Sequence, residues 1–165
     1  MILLNHMKKG STVFLRAVII LIGIVALVIM IRFPLTEGRA VNLDLYHIYA
    51  DPFLIYGYLA SIAFFVALYQ AFKLLGYIGD NKVFSLSSVK ALRTIKYCAI
   101  VLGILIVMAG IYIRIFHAVD DDPAGFLAMC IVTTFISLVV ATAAAIFEKL
   151  LQKAVEMKSE NDLTV

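Results

Sequence analysis

The chain has 165 residues, of which 64% are hydrophobic and only 15% charged, with a formal net charge of +3. Its mean hydropathy is +1.03. A soluble domain of this length needs far more charged surface, so the composition excludes an ordinary water-soluble protein and leaves a single membrane domain over 1–165.

Spans of roughly 20 apolar residues are the unit expected of a bilayer-crossing helix. Four such stretches are predicted, at about 13–31, 53–75, 97–116 and 124–147. With so few charges inside them, each satisfies its own backbone only as a helix, and the fold class is an all-α integral membrane four-helix bundle. The first stretch follows Lys8 and Lys9, as a signal peptide would. It is longer than a typical signal core, and no small-residue cleavage site follows in Arg32–Ala40. It therefore reads as an uncleaved first span, with either Met1 or Met7 as the start.

Alternating the four spans divides the charges unequally. Eleven of the fourteen Lys and Arg fall on one side with five acids, giving +6. The other side holds Arg32, Arg39 and Arg114 against Glu37, Asp44, Asp51, Asp120, Asp121 and Asp122, giving −3. The positive-inside rule places the first set, and both termini, in the cytoplasm of a bacterial cell with the plasma membrane as the site. The cations are spread over three membrane-proximal segments, which suits anionic lipid and not nucleic acid. Tyr46, Tyr49, Phe53, Tyr56 and Tyr58 mark the outer boundary of the second span, and Tyr77, Phe84 and Tyr97 the inner one. Arg16 and Lys73 are expected to snorkel at the inner interface.

Small residues mark the faces on which membrane helices approach. The fourth span carries Thr133, Ser137, Ala141 and Ala145; the second carries Ala63, Ala67 and Ala71; the third carries Ala99, Gly103 and Gly110. These stripes are expected to pack within the monomer, and they also permit a homo-oligomer. Cys98 and Cys130 are expected at different depths, something like 15 Å apart, too far for a disulfide. Beyond the fourth span, 148–158 is expected to continue as a short cytoplasmic helix. Phe147, Leu150, Leu151 and Ala154 form its apolar face, fit to lie at the interface or contact a partner.

The connection before the third span reads NKVFSLSSVKALRTIKYCA at 81–99: a turn, a cap from Ser85 or Ser87, then Val89, Leu92, Ile95 and Lys96 at helical spacing. With DDPAG at 121–125 and KSENDLTV at 158–165, this resembles the bacterial domain-of-unknown-function family 2975, whose members are small four-span membrane proteins. The resemblance covers nearly the whole chain. It implies the fold but no residue-level activity. Members are often encoded beside a small helix-turn-helix regulator, which implies a regulated stress or sensing role.

Candidate chemistry is sparse. Asp120, Asp121 and Asp122 with His117 form an oxygen-rich cluster suited to a hard cation, with Asp44, His47 or Asp51 available to complete it. The plainer reading, and the favoured one, makes Asp122 an N-cap followed by Pro123, with the acids complementing the helix dipole. No metal is assigned. Arg114, just inside the outer end of the third span, is a candidate structural ion pair with Asp120 or Asp121. No acid lies deep in a span, which argues against a proton- or sodium-coupled pump. Nothing resembles a nucleophile elbow, phosphate loop or zinc-protease helix, so no catalytic residue and no cofactor are expected. The function read from this layout is a non-enzymatic accessory or sensory, stress-related membrane protein, partnered by the bilayer and by a membrane or cytoplasmic protein. The alternatives are a small homo-oligomeric permeation or efflux module, or an immunity protein against a membrane-active peptide.

Overall fold

A computed structural model describes residues 2–36, 49, 51–116 and 122–163, with the backbone alone at 2–9, 36, 162 and 163. The described residues form four long helices: α1 (Ile2–Thr36), α2 (Pro52–Gly79), α3 (Leu86–Phe116) and α4 (Ala124–Leu163). Each contains a stretch long and apolar enough to cross a membrane. The helices run antiparallel and pack in chain order. Contact is most extensive between α3 and α4, then between α2 and α3, then between α1 and α2. One end of the bundle gathers Lys82, Lys90, Arg93, Lys96 and Lys149; the other holds Asp51 and Asp122. They are called the basic and acidic ends.

The helices exceed the expected spans, α4 most of all. Its 40 residues measure about 60 Å at 1.5 Å per residue, against a hydrocarbon core of about 30 Å. The connection expected over 76–96 is mostly helix, and only 80–85 remain as a turn. That turn is built from backbone bonds. Asn81 takes φ 56°, a left-handed conformation that Asn tolerates better than most residues. The Lys82 N–H donates to the Tyr77 carbonyl at 2.8 Å and the Asn81 N–H to Ile78 at 3.3 Å, closing α2 with a Schellman-type cap. Ser85 then opens α3. Its hydroxyl accepts from the Ser88 N–H at 3.4 Å and lies 3.2 Å from the Ser88 hydroxyl.

Burial is concentrated at the basic end. Ser88 is fully buried, and Val89, Ala91, Leu92, Ile95 and Ala99 of α3 and Ala141 and Ala144 of α4 are buried as well. Most large apolar side chains of α1 and of the outer faces of α3 and α4 stay exposed. This gradient has a physical cause. Lipid tails are as apolar as leucine, so the hydrophobic effect does not drive helices together inside the bilayer. It acts where the helices reach water, and the segment bearing Lys90, Arg93 and Lys96 belongs there. Within the apolar stretches the approach depends on small residues. The Gly103 Cα faces the Ser137 side chain and Gly110 faces Cys130; a Cβ at either glycine would stand 3.5 Å from that neighbour, so α3 and α4 lie close. Ser137 and Ala141 of the predicted stripe are buried in this seam, joined by Ala144 in place of Ala145.

At the acidic end, aromatic rings and hydroxyls join the helices. Phe53 of α2 stacks 6.3 Å from Tyr112 of α3 and meets Phe126 of α4 edge-on at 5.7 Å. The Tyr56 hydroxyl donates to the Leu105 carbonyl at 2.7 Å. Pro34 stands inside α1 and lacks an N–H, so the Met30 carbonyl four residues earlier loses its helical donor. Tyr58 supplies a replacement, its hydroxyl donating to that carbonyl at 3.3 Å. Tyr49 donates to the next carbonyl, Ile31, at 3.0 Å. Of the tyrosines expected at the headgroups, Tyr58 serves the carbonyl that Pro34 frees and Tyr49 the one beside it; Tyr46 lies outside the described residues. Removing the Tyr58 hydroxyl with Tyr58→Phe should cost about 1 kcal/mol of stability in detergent or lipid. In a Pro34→Ala background, where residue 34 donates again, the same change should cost little. Equal losses in both backgrounds, read by thermal unfolding, would refute the replacement.

Candidate functional site

The most elaborate polar arrangement among the described residues is at the basic end, between α3 and α4. Glu148 projects from α4 with its side chain only 7% exposed. One carboxylate oxygen accepts from Arg93 Nε at 2.7 Å and the other from Lys96 Nζ at 2.7 Å. Arg93 and Lys96 are three residues apart, so one face of α3 presents both. The Lys96 ammonium also lies 4.7 Å from the centre of the Tyr97 ring. Ala144 of α4 is buried one turn before Glu148, and Ile95 and Ala99 are buried on α3, so the ion cluster caps the apolar seam.

The geometry decides what this cluster does. A carboxylate taken out of water is costly unless paired and hydrogen-bonded. Both oxygens of Glu148 are engaged by cations, which leaves it a poor general base and a good clamp. The two cations are not equivalent: the Lys96 side chain is 21% exposed and that of Arg93 50%. Water screens the Arg93 bond more, so Lys96 supplies the larger share of the coupling. One positive charge is left over on the three residues together.

The sites anticipated from the sequence fare differently. His117, Asp120 and Asp121 lie outside the described residues, as do Asp44 and His47. Asp122 is exposed, and its side chain accepts from the Ala124 N–H at 3.0 Å. Asp51 does the same for Phe53 at 2.7 Å, ahead of Pro52. Both helices that start at the acidic end therefore open on an Asp-Pro cap, the plainer of the two roles considered for Asp122. Among the described residues no group of three His, Cys, Asp or Glu is placed to hold a metal ion. Arg114 occupies the last turn of α3, where a cation complements the helix dipole. It borders an open apolar groove of about 580 Å³ with Gly110, Leu127, Cys130 and Phe135, a surface that lipid tails would fill. Cys98 and Cys130 are free thiols. Arg16 departs from simple snorkelling: its side chain crosses to α2 and rests on Gly76 and Phe72.

From the sequence, Glu148 is one of the five acids on the basic side and the first residue of the 148–158 extension, with no partner assigned. The signal available was its position, one residue past the fourth apolar stretch, where a lone acid among Lys and Arg has cations within reach. Replacing it by Gln should lower the apparent melting temperature by about 5 °C, because a buried charge pair is broken from one side. Lys96→Gln should cost more than Arg93→Gln, and Lys149→Gln, on an exposed face, should cost almost nothing. Differential scanning of the purified protein in lipid nanodiscs orders the four variants; a Lys149 effect as large as that of Glu148 would remove the clamp from the account.

Comparison with known proteins agrees with this architecture. The family model described as "Protein of unknown function (DUF2975)" matches residues 35–165, from the end of α1 to the C-terminus. The chain is 43% identical over 162 residues to "Uncharacterized membrane protein YoaS" of Bacillus subtilis (strain 168), covering 96% of this chain and 100% of that protein. No solved structure matches. Four apolar helices and a family match over most of the chain carry one conclusion: it belongs to the DUF2975 family of membrane proteins.

Proposed function

We propose that this is a non-enzymatic accessory protein of the bacterial plasma membrane, with both termini in the cytoplasm, acting through a cytoplasmic partner. The observation that carries the reading is the length of α4. It continues without a break from the apolar stretch to Leu163, which extends it about 24 Å beyond Phe147. Along that extension Leu150 and Met157 are exposed among exposed Lys149, Gln152, Lys153, Glu156 and Lys158. The Glu148 clamp sits at its root and ties its direction to α3. A rigid helix set at a fixed angle to the membrane is a platform for a partner rather than a catalytic device.

The orientation rests on the charge count, eleven cations on one side against three on the other. The non-enzymatic reading is supported by the saturated hydrogen bonding of Glu148 and by capping roles for Asp51 and Asp122.

Two experiments test it. Fusions after Val165 should give fluorescence with green fluorescent protein and no activity with alkaline phosphatase; the reverse pattern would invert the topology. A photo-crosslinking residue at Leu150 or Met157, in living cells, should yield a discrete protein adduct that is missing when the probe stands at lipid-facing Ile131. Lipid-only adducts at all three positions would contradict the partner role.

A further inference from the structure

Neither α1 nor α2 contains an acidic residue, yet Arg16 stands in the apolar stretch of α1 and Lys73 in that of α2. This separates the pair from α3–α4, where Glu148 takes up positive charge. Arg16 is part-buried against α2. Its guanidinium carbon lies 5.1 Å from the centre of the Phe72 ring. A terminal nitrogen occupies the space that a side chain at Gly76 would need. Its Nε is sealed from solvent with no hydrogen-bond partner. One turn nearer the basic end, Thr12 packs on Gly79 and is buried, so the two helices are in contact on that side of Arg16 as well.

Guanidinium is charged at every physiological pH, and cation–π contact with one ring does not replace a counter-charge. No carboxylate lies within α1 or α2; the exposed Asp80 that caps α2 stands one turn beyond Gly76, and none of the ion pairs among the described residues joins it to Arg16, which leaves room for a counter-ion from outside the two helices. Arg16 lies about one turn inside the apolar stretch that starts near Val13, within reach of the headgroup layer. The anion abundant there is lipid phosphate, and the planar fork of Arg matches its oxygens. Exposed Val13, Phe14 and Ile20 flank Arg16 along α1 and suit acyl chains. We propose that Arg16, seated on Gly76 and Phe72 between α1 and α2, binds the phosphate of an anionic phospholipid at the basic face of the membrane.

Native mass spectrometry of the full chain, released from nanodiscs of mixed phosphatidylglycerol and phosphatidylcholine, counts the lipids it retains. The wild-type chain should keep phosphatidylglycerol preferentially. Arg16→Gln should weaken that retention about five-fold, the scale of one cation beside an anionic leaflet. Gly76→Ala keeps every charge but fills the seat, and should also lower retention, whereas Lys149→Gln should not. Equal retention of the two lipids by the wild-type chain would overturn the proposal even if a variant failed to insert. An unchanged preference in Arg16→Gln would overturn it too. A second arm adds inorganic phosphate to protein in pure phosphatidylcholine nanodiscs. Stabilisation there as large as that given by phosphatidylglycerol, and lost in Arg16→Gln, would assign the seat to free phosphate and overturn the lipid assignment.

Discussion

A helix inside a bilayer gains nothing from hiding leucine against leucine, because lipid offers leucine an equally apolar surface. What joins the helices here must therefore be close backbone approach, hydrogen bonds, or charges that have no better partner. The Glu148 carboxylate, held at 2.7 Å by both Arg93 and Lys96, is the strongest of these contacts among the described residues. It closes the most extensive helix interface at the level where apolar sequence gives way to charged sequence. The seam above it, from Ala99 and Ala141 up to Gly110 and Cys130, is narrow and made of small residues. Small residues allow approach but contribute little attraction of their own, which leaves the register of α3 against α4 to the ion cluster and to the short apolar core around Ser88 and Leu92.

The two ends of the bundle solve different problems. At the basic end the helices emerge into water, so burial is favourable and charges can be paired. At the acidic end Pro34 interrupts α1, and tyrosine hydroxyls from Tyr58 and Tyr49 donate to its carbonyls. The α1–α2 pair has no acid and leans on aromatic faces and glycine seats, while α3–α4 carries its own counter-charge. The pairs thus differ in how much of their electrostatics is internal and how much depends on the surrounding lipid.

Much of this was legible in the residues. Four apolar runs specify four helices, since no other backbone conformation satisfies itself in hydrocarbon. Val89, Leu92 and Ile95 at helical spacing marked the face of α3 that is buried, and Ser85 was one of two caps read from the turn. Asp122 before Pro123 was readable as a cap because the chemistry is local. The pairing of Glu148 was not. Its partners lie 52 and 55 residues away, and a charge count registers only which side of the membrane a residue is on. The crossing of Arg16 to α2 escaped for the same reason: an apolar helix is hydrophobic on every side, so periodicity does not say which face meets which neighbour. Tyr58 was read as an interfacial ring; its carbonyl partner is exposed by a proline in a different helix, which its own span does not reveal.

The α3–α4 interface depends on one coupling above the others, that between Glu148 and Lys96. A thermodynamic cycle of Glu148→Gln, Lys96→Gln and the double variant, measured by reversible unfolding in lipid nanodiscs, tests it most directly. Strong non-additivity is expected, with the double variant no less stable than the worse single one, since the second substitution removes a group already left without its partner. Additive losses would mean that the two side chains act independently and that the clamp does not hold the helices together.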